Sequence, residues 1–250
     1  MIQKSRLDQS LVQRGLTSTR SQAESWIKLG KVTVDGKTVT KPGFFVSERT
    51  IIHLKASEQF VSRAGLKLAS VARLLKLDFK GRVVLDVGSS TGGFTDYALQ
   101  HGAKQVIAVD VGTEQLHPTL RGNSKIQLLE KTDIRSVSLK DGEVIITDVP
   151  DIVVIDVSFI SLREVLPHIA LHLSGKQTQI VAMVKPQFEA GKQQVSKGII
   201  KNDTVRRAIL KDFESWARDL FVIKDKADSD IAGSKGNRER FYLLQPIHKQ

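Results

Sequence analysis

The chain has 250 residues, 40% of them apolar, which is enough to bury a substantial core in one large domain or in a small and a medium one. It has no cysteine, which excludes disulfides and thiolate metal sites, and no apolar run of the roughly 18 to 20 residues that a membrane helix needs. Thirty-eight Lys and Arg against 27 Asp and Glu leave a net charge of +11, which favours a polyanionic partner such as nucleic acid. MIQKSRLDQS lacks the apolar stretch of a signal peptide, so a reducing cytoplasm is the expected compartment.

The first 55 residues read as a separate module. Leu7, Leu11 and Val12 share one face of a short helix that Gly15 ends. Thr19 or Ser21 caps the next helix, whose inner face is Ala23, Trp26 and Ile27. KVTVDGKTVTKPG then alternates strand residues around Asp35-Gly36, a hairpin-turn dipeptide. This stretch carries ten Lys/Arg and four Asp/Glu, a net +6 of the total +11. ASEQF (56–60) reads as a linker, dividing the chain into 1–58 and 59–250.

Beyond Phe60, apolar runs alternate with amphipathic ones. Strands are expected at 83–88, 105–111, 126–131, 151–158, 178–186, 222–227 and 240–246, and helices at 65–76, 92–101, 162–173 and 203–219. Continuous Val/Ile runs imply a parallel sheet buried on both faces, hence a doubly wound α/β fold with ligands at the carboxyl ends of its strands.

The turn DVGSSTGGFT (86–95) follows such a strand. With Ser90 in the place of a glycine, it fits either a dinucleotide fingerprint or the turn of an S-adenosylmethionine (SAM) enzyme. Asp110, ending the second strand, suits the ribose hydroxyls of either cofactor. Asp133, after the third, suits an adenine amino group in SAM enzymes and has no regular NAD counterpart, so the pattern favours SAM. The cofactor set is Asp86, Gly88, Ser90, Thr91, Gly92, Gly93, Asp110, Asp133 and Asp156. Asp86 is equally readable as a turn-stabilising carboxylate, and Phe94 as a core residue. His168 and His172 stand at i,i+4 with no third ligand evident, so no metal is expected. The charges of RRAILKDFESWARDL are expected on a solvated helix face.

Residues 6–43, R-L-D-x-x-L-V-x-R-G-L and onward to V-D-G-x-x-x-x-K-P-G, resemble the S4 RNA-binding domain. That resemblance makes Arg6, Arg14, Arg20, Lys28, Lys31, Lys37 and Lys41 candidate phosphate contacts, which position a protein on RNA without reading sequence. VSRAGLKL, TGGFTDYALQHGA, AVDVGTEQL, IDVSFISLREVLP, MVKPQFEAGK, VSKG and GN-x-E are similar to the TlyA family across nearly the whole chain. Its members, also called hemolysins, are SAM-dependent ribosomal RNA cytidine 2'-O-methyltransferases, with an S4 domain before an FtsJ-like catalytic domain. The resemblance implies a Rossmann-like methyltransferase sheet behind a small α+β S4 domain, and SAM as cofactor. It further implies ribosomal RNA or a ribosomal subunit as partner, neither membrane nor metal, and a monomer.

It also implies a Lys-Asp-Lys-Glu tetrad at Lys67, Asp156, Lys185 and Glu239. Pro186 keeps Lys185 extended, so its amine is aimed rigidly. To work as a base, that amine must come down from a reference near 10.4 to about 7, roughly 4 kcal/mol. Lys185 therefore either accepts the proton or only orients the oxygen. Asp156 is alternatively a helix cap, and Glu239 a partner of Arg238 or Arg240. The chain's end at PIHKQ leans towards the family's shorter form, which acts on large-subunit RNA alone. A ribosome-assembly factor without catalysis is the rival reading, and an NAD-dependent oxidoreductase a more distant one.

Overall fold

In the computed structural model, residues 4–17, 19–28, 30–55, 60–190, 198–200, 202–233 and 236–247 are described. The linker positions 56–59 and the family strings at 191–197 lie outside them, as does the side chain of the candidate cap Ser21.

The N-terminal module comprises β1 (Lys4–Arg6), α1 (Leu7–Gln13), α2 (Arg20–Lys28), β2 (Val32–Val34), β3 (Lys37–Thr38), β4 (Phe45–Ser47) and β5 (Ile52–Leu54). Strands β3, β2 and β5 form one antiparallel sheet, and β1 pairs with β4. Asp35 and Gly36 both take positive φ, 48° and 80°, as a two-residue hairpin turn with strand-matching twist requires. Thr19 caps α2 through its hydroxyl, which accepts from the Gln22 amide at 3.2 Å. Leu7, Leu11, Ala23, Trp26 and Ile27 are buried, as their helical spacing predicts.

The remainder contains α3 (Arg63–Ala72), β6 (Val83–Val87), α4 (Gly93–Gln100), β7 (Gln105–Val109), β8 (Ile126–Leu129), β9 (Val137–Ser138), β10 (Val144–Ile145), β11 (Ile152–Ile155), α5 (Leu162–His172), β12 (Gln179–Val184), α6 (Pro186–Glu189), α7 (Asp203–Ala217), β13 (Phe221–Asp228) and β14 (Arg240–Pro246). Seven strands form one sheet in the order β13-β14-β12-β11-β6-β7-β8. Strands β12, β11, β6, β7 and β8 run parallel, and β14 and β13 complete the sheet antiparallel. Alternation along the strands splits the core. Val84, Val106, Val154 and Met183 face α3 and α4, whereas Leu85, Ile107, Val153 and Ala182 face α5 and α7. From β8 the chain returns to β11 on the other side of β6, so the topological switch point lies between β6 and β11.

Two expectations change. Phe60 is not linker: it is 2% exposed and packs its ring against Tyr97, centroids 5.3 Å apart. Its carbonyl accepts from Gln22 Nε2 of α2, and one apolar core runs from Leu7 and Trp26 through Phe60 into α3 and α4. The charges of α7 are not all solvated either. Glu214 is buried, accepting from Lys226 Nζ at 2.6 Å and the Tyr242 hydroxyl at 2.9 Å. Arg206 is buried with its guanidinium on Asp228 at 2.7 Å.

Candidate active site

The loops leaving β6, β7, β11 and β12 meet at the switch point, because register aligns Val87 with both Val109 and Ile155. Gly88 sits there at φ 79°, and a Cβ on it would lie 2.9 Å from the Asp156 carbonyl oxygen. Only glycine lets the two diverging loops touch. Ser90 holds φ 46°, a left-handed conformation that explains why glycine commonly fills this place in such turns.

A cavity of about 440 Å³ opens beside this turn, lined by Gly88, Ser90, Asp110, Gln115, Asp133 and Phe159 among others. Asp110 bridges two loops, accepting from the Ser90 amide at 2.8 Å and the Gly112 amide at 2.7 Å. Asp133 faces the same space, with Arg135 on its carboxylate at 2.6 Å, and that guanidinium keeps its carboxyl below the usual carboxylate range. Gly92 and Gly93, expected among the cofactor contacts, do not line this cavity or its neighbour. A Cβ on Gly93 would lie 2.7 Å from Ala64 Cβ and 2.8 Å from the Gly65 nitrogen. Gly93 lets α4 cross closely under α3, which carries Lys67 towards the site, whereas a Cβ on Gly92 would lie 2.6 Å from Leu120 Cδ1 and 2.7 Å from Leu116 Cδ1.

A smaller pocket of about 160 Å³ joins Asp86, Ser89, Ser90 and Thr91 to Lys67, Asp156 and Lys185. Asp86 is wholly buried; its Oδ2 accepts from the Thr95 hydroxyl at 2.6 Å. Burial pushes its carboxyl up to about 7, against the Thr95 bond. Asp86 Oδ1 and Ser89 Oγ are buried here without hydrogen-bond partners. Such atoms are costly unless something arrives to satisfy them, and the ammonium of an amino acid has the donors to do so.

The third space, about 510 Å³, lies on the far side, lined by Arg63, Lys67, Ser158, Phe159, Lys185, Asn237 and Glu239 among others. The four tetrad positions come together as two ion pairs. Lys185 Nζ lies 2.6 Å from Asp156 Oδ1, and Lys67 Nζ lies 2.5 Å from Glu239 Oε2. Lys185 has extended backbone, φ −104° and ψ 100°, as Pro186 demands. Both alternative readings fall. The cap of α5 is Ser161, whose hydroxyl accepts from the Arg163 amide at 3.1 Å, not Asp156. Arg240 is committed to Asp228 at 2.6 Å, not to Glu239. Gly233 makes room for that carboxylate, since a Cβ there would lie 2.7 Å from Glu239 Oε1.

Several residues escaped the sequence reading. Ser158 lines all three spaces, and its hydroxyl accepts from Lys185 Nζ at 2.7 Å. Phe159 is 92% exposed at φ 67°, a strained placement for a bulky residue, with its ring 5.3 Å from Phe188. Glu189, buried at the end of α6, accepts from the Ser161 hydroxyl at 2.6 Å and the Leu162 amide at 2.8 Å. It ties the Ser158–Phe159 turn to the segment that carries Lys185. Asn237 bonds both Ile200 N and Gly198 O, holding 198–200 beside the site. The motif strings IDVSFISL, VKPQFE and GN-x-E contained these residues, but nothing in spacing alone distinguished them.

Comparison with known proteins agrees with this fold. The FtsJ-like methyltransferase model matches residues 60–245, and the S4 domain model matches 5–52. The chain belongs to the FtsJ-like methyltransferase family. Its methyl donor is SAM, and the unsatisfied Asp86 and Ser89 atoms beside Asp110 fit that donor's ammonium and ribose hydroxyls. The 16S/23S rRNA (cytidine-2'-O)-methyltransferase TlyA of Mycobacterium tuberculosis is 40% identical, over 98% of this chain and 91% of its own. Hemolysin A of Brachyspira hyodysenteriae is 37% identical, over 94% and 97%. A solved structure from Streptococcus thermophilus, described provisionally as a hemolysin, superposes with a TM-score of 0.72 at 36% identity, covering 100% of this chain and 90% of that one. Among the described residues no helix is long and apolar enough to cross a membrane, and no cluster of metal ligands occurs. His168 instead bonds the Val137 carbonyl through Nε2 at 2.7 Å.

The N-terminal candidates fare unequally. Lys28, Lys31, Lys37 and Lys41 are exposed. Arg14 is committed to three backbone carbonyls of the β4–β5 turn, at 2.7 to 3.2 Å. Its first duty is therefore structural. Arg6 and Arg20 share Asp8.

Proposed function

We propose that this protein transfers a methyl group from SAM to the ribose 2'-hydroxyl of a cytidine in ribosomal RNA, in the cytoplasm. The observation that carries the reading is the convergence of Asp156–Lys185 and Lys67–Glu239 on one wall between two connected cavities. A non-catalytic binding protein has no need of two buried ion pairs at that junction.

SAM supplies an electrophilic methyl carried on a positive sulfur. Asp110, Asp86 and Ser89 bind its ribose and its amino-acid end, and Asp133 its adenine. Lys185 and Lys67 lie where a ribose hydroxyl enters from the outer cavity. Held in line with the methyl, that hydroxyl gains most of its reactivity from position and from ammonium groups facing the oxygen; as the new oxygen–methyl bond forms, the methyl–sulfur bond breaks to leave a neutral thioether and the hydroxyl proton passes to solvent. Asp156 and Glu239 fix the two ammonium groups and keep the local charge balanced. Ser158 holds the Lys185 amine from a second side, so it has little freedom to swing away. The exposed ring of Phe159 offers a flat apolar face to a base beside the reacting ribose.

The cytidine and the ribosomal target rest on the relatives' activities, and the S4 domain supports an RNA substrate. Large-subunit RNA is the expected target, with the small subunit as the second. Mapping 2'-O-methylated riboses in rRNA from cells with and without this protein is the test. A cytidine methylation that vanishes with the gene and returns with it is expected, and an unchanged map overturns the reading.

A further inference from the structure

Asp8 is a carboxylate with no exposed surface, placed under the charged face of the N-terminal module. It holds two arginines from different elements. Arg6, at the end of β1, grips it with a fork: Nε to Oδ1 at 3.0 Å and Nη2 to Oδ2 at 2.9 Å. Arg20, at the start of α2, donates Nε to Oδ2 at 2.8 Å. Burial alone would raise the Asp8 carboxyl, yet the two arginines hold it down at about 2, so the anion is present throughout the physiological range. The Arg6 head is confined from another side as well. A Cβ on Gly43 would lie 3.0 Å from Arg6 Nη1, so the guanidinium rests directly on bare backbone. The Arg6 and Arg20 side chains nonetheless stay 38% and 51% exposed.

A guanidinium has five N–H donors, and Asp8 takes two from Arg6 and one from Arg20. Each arginine thus keeps donors for a second anion while its orientation is already fixed. A long side chain that is ordered before binding has less freedom to lose when a phosphate arrives. We infer that Asp8 is a positioning residue that fixes Arg6 and Arg20 as a preformed fork for the RNA phosphate backbone. This rests on the reading of the N-terminal module as the RNA grip.

The expected effect of neutralising Asp8 has an unusual sign. Asp8→Asn removes a negative charge, so long-range attraction alone would tighten binding to RNA. Loss of the fork weakens it instead. The test uses the full chain and in vitro transcribed 23S rRNA, with affinity measured over a range of KCl concentrations. SAM binding and thermal unfolding serve as checks on the fold. Asp8→Asn should bind about five- to tenfold more weakly at moderate salt. Its log–log salt slope should flatten by about 0.7 to 0.9, the loss of one phosphate contact. The same substitution placed on Arg6→Ala/Arg20→Ala should weaken binding no further. Gly43→Ala, which keeps every charge and crowds only the Arg6 head, should give a smaller loss of about two- to threefold. It decides the matter should Asp8→Asn fail to fold. Binding unchanged or tightened in both Asp8→Asn and Gly43→Ala, while Arg6→Ala/Arg20→Ala weakens it, overturns the positioning role and leaves the RNA grip standing. No loss in any of these variants overturns both.

Discussion

The cofactor cavity and the outer cavity are built by opposite means. The first is mostly backbone and local sequence: a left-handed turn at Gly88 and Ser90, with Asp110 clamping it from the next strand. The second is assembled from the side chains of Lys67, Lys185 and Glu239, brought together only by the completed sheet, with Asp156 holding Lys185 from the cofactor side. A turn shaped by backbone keeps its form when distant side chains change, while a site made of ion pairs depends on each partner. Damage to the outer cavity should therefore abolish chemistry and spare cofactor binding, and damage to the inner one should do the reverse.

The sharpest way to break that contrast is Lys185→Ala. Loss of a preorganised cationic donor at the reacting oxygen costs about 10² to 10³ in rate. Single-turnover methyl transfer should fall by at least that factor, while SAM affinity measured by calorimetry stays within about threefold. A mutant that keeps its rate removes Lys185 from the reaction. Asp110→Ala is the reciprocal case. Charge-assisted hydrogen bonds to a ribose are worth about 1.5 to 3 kcal/mol, so SAM should bind roughly ten- to a hundredfold more weakly in a protein that is still folded. Unaltered affinity would take Asp110 out of the cofactor site.

These two residues also show what was legible in the sequence. Asp110 and the glycine turn stand within about 25 residues of each other and follow apolar strands, so their neighbourhood could be read locally. The seven strands were found in the same way, with ends misjudged by a few residues where Asp156 and Lys185 lie just past β11 and β12. The pairing of Lys67 with Glu239 spans most of the chain, and no periodicity encodes it. Only the family resemblance brought those two residues forward. Gly93 was misread for a related reason: its place in a motif suggested a ligand, whereas its neighbours across space, Ala64 and Gly65, make it a helix-crossing residue. Phe159 and Glu189 were silent because an exposed aromatic and a buried acid look ordinary until the loops are folded.

The smallest effect expected in the two cavities is a pH dependence. The Asp86 carboxyl, raised to about 7 by burial, is protonated in the free protein at pH 6 and ionised near pH 8. An acid raised above its unfolded value of about 3.9 binds more protons when folded, so its contribution to stability declines as pH rises from about 4 to 7. A cationic ligand prefers the ionised form. SAM affinity should thus rise about fivefold from pH 6 to 7.5, allowing for some deprotonation of the ligand's own α-amine. Asp86→Asn should flatten that rise, and calorimetry at the two pH values checks it. A wild-type protein with no such dependence would leave Asp86 as a purely structural turn residue.

The buried ring of Phe60 carries a consequence for how this protein came to be joined together. A detachable module is tethered by a polar string and melts on its own. Here the junction is a hydrophobic rivet: the Phe60 ring packs at a tilt against Tyr97 while its carbonyl is held by Gln22. Cutting the chain there would leave Trp26, Phe60 and Leu66 facing water together, a greasy scar that invites aggregation. The two parts should then unfold as one, and a pull on bound RNA would reach α3, and with it Lys67, without passing through a slack joint.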